Sequence, residues 1–337
     1  MANPVLVELT RGPLVESVHR GAVAVVDAAG HARMALGDIG RTIFPRSGFK
    51  ALQALPLVES GAAGAFGLSD AEVALACASH SGEAVHVAAV AALLDRLGLD
   101  ETALACGAHL PSGESAAREL LRSGGRPSRL HNNCSGKHAG MLTLARHLGA
   151  PVEGYEKPDH PVQRTIRAAI AEMTGAELTR DVCGVDGCSA PAWAMPLRAL
   201  AKGFARFSVQ ADMGEARAAA CRRILKACFA EPLMVAGTGR VCTVIMETAT
   251  NKAFVKTGAE GIYAAMFPTL GLGAAVKIDD GAKRAAEVVM SELCAALLPE
   301  TASRLADVPG RGIPDWNGRV VGAIRPSREL GQALSNL

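Results

Sequence analysis

Aromatic side chains are scarce: eight Phe, two Tyr and two Trp amount to 4% of 337 residues. A core of the size this length allows must be filled by Ala, Val, Leu and Ile, and 36 glycines point to many tight turns and close backbone approaches. Charge of one sign is missing too. Thirty-five basic residues face 33 acidic ones, for a net charge of +2. No basic cluster is interleaved with aromatics, which argues against a nucleic-acid surface and favours a small neutral or zwitterionic ligand. No apolar run is long enough to span a bilayer; the Ala-rich stretch from Glu83 to Leu97 is broken by His86 and Asp95 and reads as a buried helix. Glu8, Arg11 and Glu16 interrupt the first twenty residues, so no signal peptide is read there and a cytoplasmic protein is expected. The nine cysteines are odd in number, include no C-x-x-C, and are expected to be thiols, most of them small buried hydrophobes.

No low-complexity tract or internal repeat divides the chain, so one compact domain over 1–337 is expected. Pro4 to Thr10, Leu14 to His19, Ala22 to Asp27 and Ala32 to Leu36 read as the strands of a meander, separated by Gly12-Pro13, Arg20-Gly21 and Ala28 to Gly30. From Ser47 the apolar spacing turns helical, in Ser69 to Cys77, Glu83 to Leu97, Ser115 to Arg122, Ala139 to Leu148 and Pro161 to Thr174, with a further helix near Met213 to Cys228. Strands are read again at Val241 to Glu247, Ala253 to Thr257, Gly261 to Met266 and Ala274 to Ile278, then a helix from Asp280 to Leu298 and a last strand near Val320 to Ile324. The expected class is α+β: an antiparallel sheet from both chain ends (1–45 and 230–337) around a mainly helical 46–229.

Three short motifs carry chemistry. Ser47 and Lys50 in Pro45-Arg46-Ser47-Gly48-Phe49-Lys50 lie three apart, on one helix face. A neutral lysine there can deprotonate the hydroxyl, and burial beside a second cation is what makes a lysine neutral. A capping serine with a solvated lysine gives the same pattern. Lys256-Thr257-Gly258 closes a strand, where a lysine can face a site or lie on the surface. Ser79-His80-Ser81-Gly82-Glu83 is a polar loop before a helix. In that order the three resemble the motif set of penicillin-binding proteins and serine β-lactamases, although His80-Ser81 departs from its middle element.

Two loops are denser still: His131 to Met141, and Gly184-Val185-Asp186-Gly187-Cys188-Ser189-Ala190-Pro191. Helix capping and turn chemistry account for their Asn, Asp and Gly but not for Cys134 and Cys188. Two thiolates and a nitrogen donor suit tetrahedral zinc with a fourth position open. His131, His138 and Lys137 are all candidate nitrogen ligands by spacing, and a Cys183–Cys188 redox pair is an alternative.

With these segments on view, the chain resembles the Rhizobium-type, or class 3, L-asparaginases from Glu8-Leu9-Thr10-Arg11-Gly12 to Asp315-Trp316-Asn317-Gly318, most specifically in His131-Asn132-Asn133-Cys134-Ser135-Gly136-Lys137-His138 and Gly184 to Cys188. The resemblance implies a cytosolic homodimer with a β-lactamase-like fold that hydrolyses L-asparagine to L-aspartate and ammonia. It implies two serine-lysine pairs, Ser47 with Lys50 and Ser79 with Lys256, and zinc on Cys134, Cys188 and Lys137, the lysine kept neutral by the metal. Ser47 is expected to attack, Ser79 and Lys256 to relay the proton to ammonia, and backbone amides around Ser47 to hold the oxyanion. For the substrate's α-carboxylate and α-ammonium the nearest partners are Arg46 and either Asp186 or Glu83, with His80 and Asn133 also at the site. Zinc is expected to shape the pocket rather than generate the nucleophile, because two thiolates leave it little charge to acidify water, and it need not be essential. The alternatives are a β-lactam hydrolase or peptidase of the same fold, and a non-catalytic binder of zinc or amino acids.

Overall fold

The computed structural model describes residues 2–306, 308 and 311–337; Met1, Asp307, Pro309 and Gly310, which fall inside the two expected sheet segments, lie outside them. Three strands open the chain, β1 (Val5–Arg11), β2 (Leu14–Asp27) and β3 (Ala32–Leu36). Three follow the helical half, β4 (Phe254–Thr257), β5 (Ile262–Phe267) and β6 (Leu272–Ile278), and two come near the end, β7 (Gly312–Pro314) and β8 (Val320–Pro326). They form one antiparallel sheet in the order β7-β8-β1-β2-β6-β5-β4, with β3 also on β2. The expected α+β arrangement, a sheet supplied by both chain ends, is the one the chain adopts.

Between the two sets of strands run α1 (Lys50–Gln53), α2 (Asp70–Ala76), α3 (Ala84–Arg96), α4 (Glu114–Arg122), α5 (Ser135–His147), α6 (Pro161–Thr174), α7 (Leu197–Val209) and α8 (Glu215–Ala230), with further short helices and turns between them. Local chemistry sets their ends. Ser69 and Glu72 close a capping box at the start of α2. Helix α6 has Pro161 at its first position and stops at Gly175 with φ 70°, so its bounds are those the periodicity predicts. Every residue of β5 is buried, which requires cover on both faces. Helix α7 packs on β2, β5 and β6, and the helix after β6 (Lys283–Leu297) packs on β1, β5, β6 and β8. Burying each Phe, Leu or Ile of this core is worth about 1.5–3 kcal/mol. Among the described residues no helix is long and apolar enough to cross a membrane.

Three expectations are corrected. Arg20-Gly21 is not a turn: β2 runs straight through it, and a Cβ on Gly21 would sit 2.3 Å from Lys277 O, so the glycine admits β6 rather than reversing the chain. Val241 to Glu247 is not a strand but helix α9 (Val241–Ala249). Its β-branched residues favour a strand locally, yet Val241, Cys242, Ile245, Met246 and Ala249 are buried at helical spacing, and packing overrides propensity. The helix Lys283–Leu297 is then α10. Finally, the helical middle contains a small antiparallel pair, Cys183–Val185 with Pro191–Trp193, and its Met195–Pro196 pairs with Thr42–Ile43 from the N-terminal segment instead of the main sheet. The first lifts Asp186, Gly187 and Cys188 onto a hairpin tip.

Candidate active site

Where the sheet end meets the helices, a cleft of about 360 Å³ is lined by Ser47, Ser79, Asn133, Cys134, Asp186, Cys188 and Arg240, among others. Two glycines bring its walls together. A Cβ on Gly258, at the end of β4, would lie 2.7 Å from Pro45 O, and one on Gly48 would lie 2.7 Å from Ile262 Cγ2. The segment carrying Ser47 therefore lies directly on the ends of β4 and β5. Ser79 is fixed from the helical side: its N–H donates to Val235 O at 3.0 Å, and that of His80 to Asn133 O at 3.2 Å.

Ser79 Oγ sits between two buried lysines. Lys50 Nζ is 3.0 Å away and Lys256 Nζ 2.9 Å away, and both lysines are 1% exposed. Lys50 also donates to Ala78 O and, at 3.1 Å, to Cys134 Sγ. Three acceptors thus surround Lys50 Nζ. Among the described residues Lys256 has only Thr257 O, at 2.7 Å, besides Ser79. Burial, and next the Lys50 charge, push its pKa down to about 7. A neutral Lys256 donates to Thr257 O and accepts from the Ser79 hydroxyl, while Lys50 donates to the same oxygen.

The expected pairing of Ser47 with Lys50 is not the hydrogen bond that forms. Lys50 N–H closes the 3₁₀ turn onto Ser47 O, and the lysine side chain runs on to Ala78 and Ser79. The Ser47 hydroxyl lines the cleft, half-buried, with no hydrogen-bond partner among the described residues. The amide of Gly48 is committed to Pro45 O at 2.8 Å, which removes it from the expected oxyanion donors.

Across the cleft, Lys137 Nζ donates to Cys188 Sγ at 3.0 Å. The hydrogen bond between the cysteines, then burial, push the Cys134 thiol up to about 12. The same bond brings Cys188 down to about 4 against burial, helped by the Lys137 charge. Of the three nitrogen candidates, only Lys137 reaches the cysteines: His138 Nδ1 meets Tyr155 OH at 2.6 Å, and His131 Nδ1 accepts from Ser128 N. Among the described residues no three His, Cys, Asp or Glu side chains converge as a metal site, so zinc here needs the lysine. Two sulfurs and an amine are donors that suit it. None of the nine cysteines is in a disulfide, Cys183 and Cys188 included.

The charged residues expected at the site are already engaged with protein partners. Arg46, at φ 50°, pairs bidentately with Asp186, Nε to Oδ2 at 3.1 Å and NH2 to Oδ1 at 3.0 Å. Burial raises the Asp186 carboxyl, but its bonds to Arg46 win and hold it below its ordinary value. Asn133 lines the cleft, whereas His80 and Glu83 do not. His80 is fully buried, stacks on His86 with centroids 4.9 Å apart, and meets Ser135 Oγ at 2.9 Å. Glu83 accepts from Thr238 N and Oγ1, both at 2.8 Å. Sequence reasoning missed His109, Arg240 and Lys283, which also line the cleft. Gly237-Thr238-Gly239 ahead of a helix was the available signal for Arg240, and it is hidden when Val241 to Glu247 is read as a strand.

The family model of L-asparaginase II matches residues 7–326. No curated protein matches the chain. Among solved structures, a β-lactamase from Mycobacterium bovis is 15% identical over 84% of this chain and 95% of its own, at a TM-score of 0.39. Simvastatin synthase from Aspergillus terreus is 10% identical over 85% of this chain and 91% of its own, at 0.32.

Proposed function

The chain belongs to the L-asparaginase II family, and on that premise we propose that it hydrolyses the side-chain amide of L-asparagine to L-aspartate and ammonia. The observation that carries the chemical reading is Ser79 Oγ held between Lys50 and Lys256 at the cleft. A serine is a poor nucleophile until a base takes its proton. Lys256, neutral in a substantial fraction near pH 7, is that base, and Lys50 donates a hydrogen bond to the same oxygen as the alkoxide forms.

Ser79 Oγ attacks the amide carbon, and its proton passes to Lys256. The oxyanion takes a hydrogen bond from the unpartnered Ser47 hydroxyl. Breakage of the C–N bond returns the proton from Lys256 to the departing nitrogen, which leaves as ammonia and yields an ester on Ser79. Water, deprotonated by the same lysine, attacks the ester, and as the acyl–oxygen bond breaks the lysine returns the proton to Ser79 Oγ and aspartate leaves. Asp186, whose two oxygens keep spare lone pairs beyond Arg46, receives the substrate's α-ammonium, and Asn133 lines the same space. Cys134, Cys188 and Lys137 would hold zinc, which when bound supplies a Lewis-acid centre that orients the substrate and need not be essential. The reading includes a cytoplasmic homodimer.

A second reading, Ser47 as the nucleophile, is favoured by its greater exposure to the cleft, since Ser79 is only 6% exposed. Ammonia release from L-asparagine, with L-glutamine and nitrocefin in parallel, tests the substrate. Turnover of nitrocefin without ammonia would point to the β-lactam alternative, and hydrolysis of none of the three to a binding protein. Mass spectrometry of the quenched acyl-enzyme tests the nucleophile: the adduct is expected on the peptide bearing Ser79, and one on Ser47 would reverse the roles.

A further inference from the structure

The other basic side chains in or beside the cleft already have partners. Arg46 is bound to Asp186, Lys283 to Glu287 at 3.3 Å, and Lys50 and Lys256 to Ser79. Arg240 lines the same cleft, half-buried, and its guanidinium has no hydrogen-bond or carboxylate partner among the described residues. A half-buried guanidinium whose five N–H donors meet no protein acceptor is free to take an anion that enters the cleft. The loop that delivers it is fixed at several points. Ser81 Oγ donates to Ala236 O at 2.9 Å, Thr243 Oγ1 to Gly237 O at 2.7 Å, and Thr238 donates twice to Glu83. Gly237 has φ 121°, and a Cβ there would lie 2.0 Å from Ser81 Oγ, so the loop closes against Ser81 only with glycine. Glu83 belongs to this clamp, joining the start of α3 to the loop that starts α9.

We propose that Arg240 is the specificity residue that binds the α-carboxylate of the substrate, and that Glu83 is a positioning residue acting through it. This deepens the asparaginase reading and rests on it for the identity of the substrate. A guanidinium matches a carboxylate with two parallel hydrogen bonds, and Arg240 replaces Arg46, already committed to Asp186, in that role.

The test uses L-asparagine turnover, calorimetric binding of L-aspartate, and competitive inhibition by 3-aminopropanamide, which is asparagine without its α-carboxylate. Arg240→Gln is expected to raise KM for L-asparagine and Kd for L-aspartate by roughly 30-fold, with the loss falling on KM rather than kcat, and to leave 3-aminopropanamide inhibition unmoved. Arg240→Lys is expected to recover part of the loss and supplies the same readout should the Gln variant not fold. Glu83→Ala is expected to raise KM by about fivefold, again without moving 3-aminopropanamide. Unchanged KM and L-aspartate affinity in folded Arg240→Gln, or equal weakening of 3-aminopropanamide, would overturn the proposal. Failure of the wild-type protein to release ammonia, with L-aspartate binding still dependent on Arg240, would overturn the asparaginase reading alone.

Discussion

Two fully buried lysines of the same site, Lys256 and Lys137, shift in opposite directions. Burial penalises the charge of both. Beside Lys256 the next influence is the Lys50 ammonium, which adds to the penalty and brings it to about 7. Beside Lys137 the thiolate side of the Cys188 and Cys134 pair outweighs burial, and its pKa rises above the ordinary lysine value. Burial therefore sets how strongly a lysine responds, and its neighbours set the sign. One corner keeps an amine ready to accept a proton from a hydroxyl; the other keeps an ammonium locked to sulfur. Were zinc held at the second corner, it would displace the Lys137 and Cys134 protons, and its loading would be coupled to proton release.

Substitutions can break this contrast or sharpen it. Removing the hydroxyl between the lysines has the largest expected effect: Ser79→Ala should lower kcat by about four orders of magnitude or more in an ammonia-release assay. Lys256→Arg fixes a permanent charge there and removes the base, so kcat should fall by about 10³-fold, whereas Lys137→Arg, which preserves a cationic partner for Cys188, should stay within about tenfold. Equal losses would mean that the two lysines do not differ in role. The pH profile separates them without mutation. A base is active when deprotonated, so kcat should rise as pH increases through about 7, the value of Lys256, and the limb should vanish in Lys256→Arg. Ser47→Ala, losing one oxyanion donor, should cost about 10²-fold in kcat. The smallest effect is expected from Cys134→Ser with Cys188→Ser, about a tenfold rise in KM with appreciable kcat retained.

Much of the framework was legible from residues alone because it follows local periodicity. Helix α6 and strand β3 occur where the pattern places them, since a proline start, a glycine stop and alternating burial are all written within a few residues. Helix α9 was not legible, because Val241, Val244 and Ile245 favour a strand until packing on both sides of the segment is known. Gly21 reads as a turn for the same reason: a glycine that admits a neighbouring strand looks, in one dimension, like one that reverses the chain. At the site, spacing put Ser47 and Lys50 together, yet the lysine's reach carried it past its own turn to Ser79. His80 and Glu83 were close in sequence to Ser79 and turned out to serve the scaffold.

The sequence by itself determined the material: a sheet drawn from both ends, serines and lysines in three short motifs, and two cysteines in glycine-containing loops. Tertiary structure decided the partnerships. Which lysine meets which serine, which arginine is left without a carboxylate, and which buried lysine loses its proton all depend on segments up to 177 residues apart in the chain. Hydrogen bonds and charge interactions act over a few ångströms of space, and spacing along the chain records that distance only within a helix turn or a strand pair.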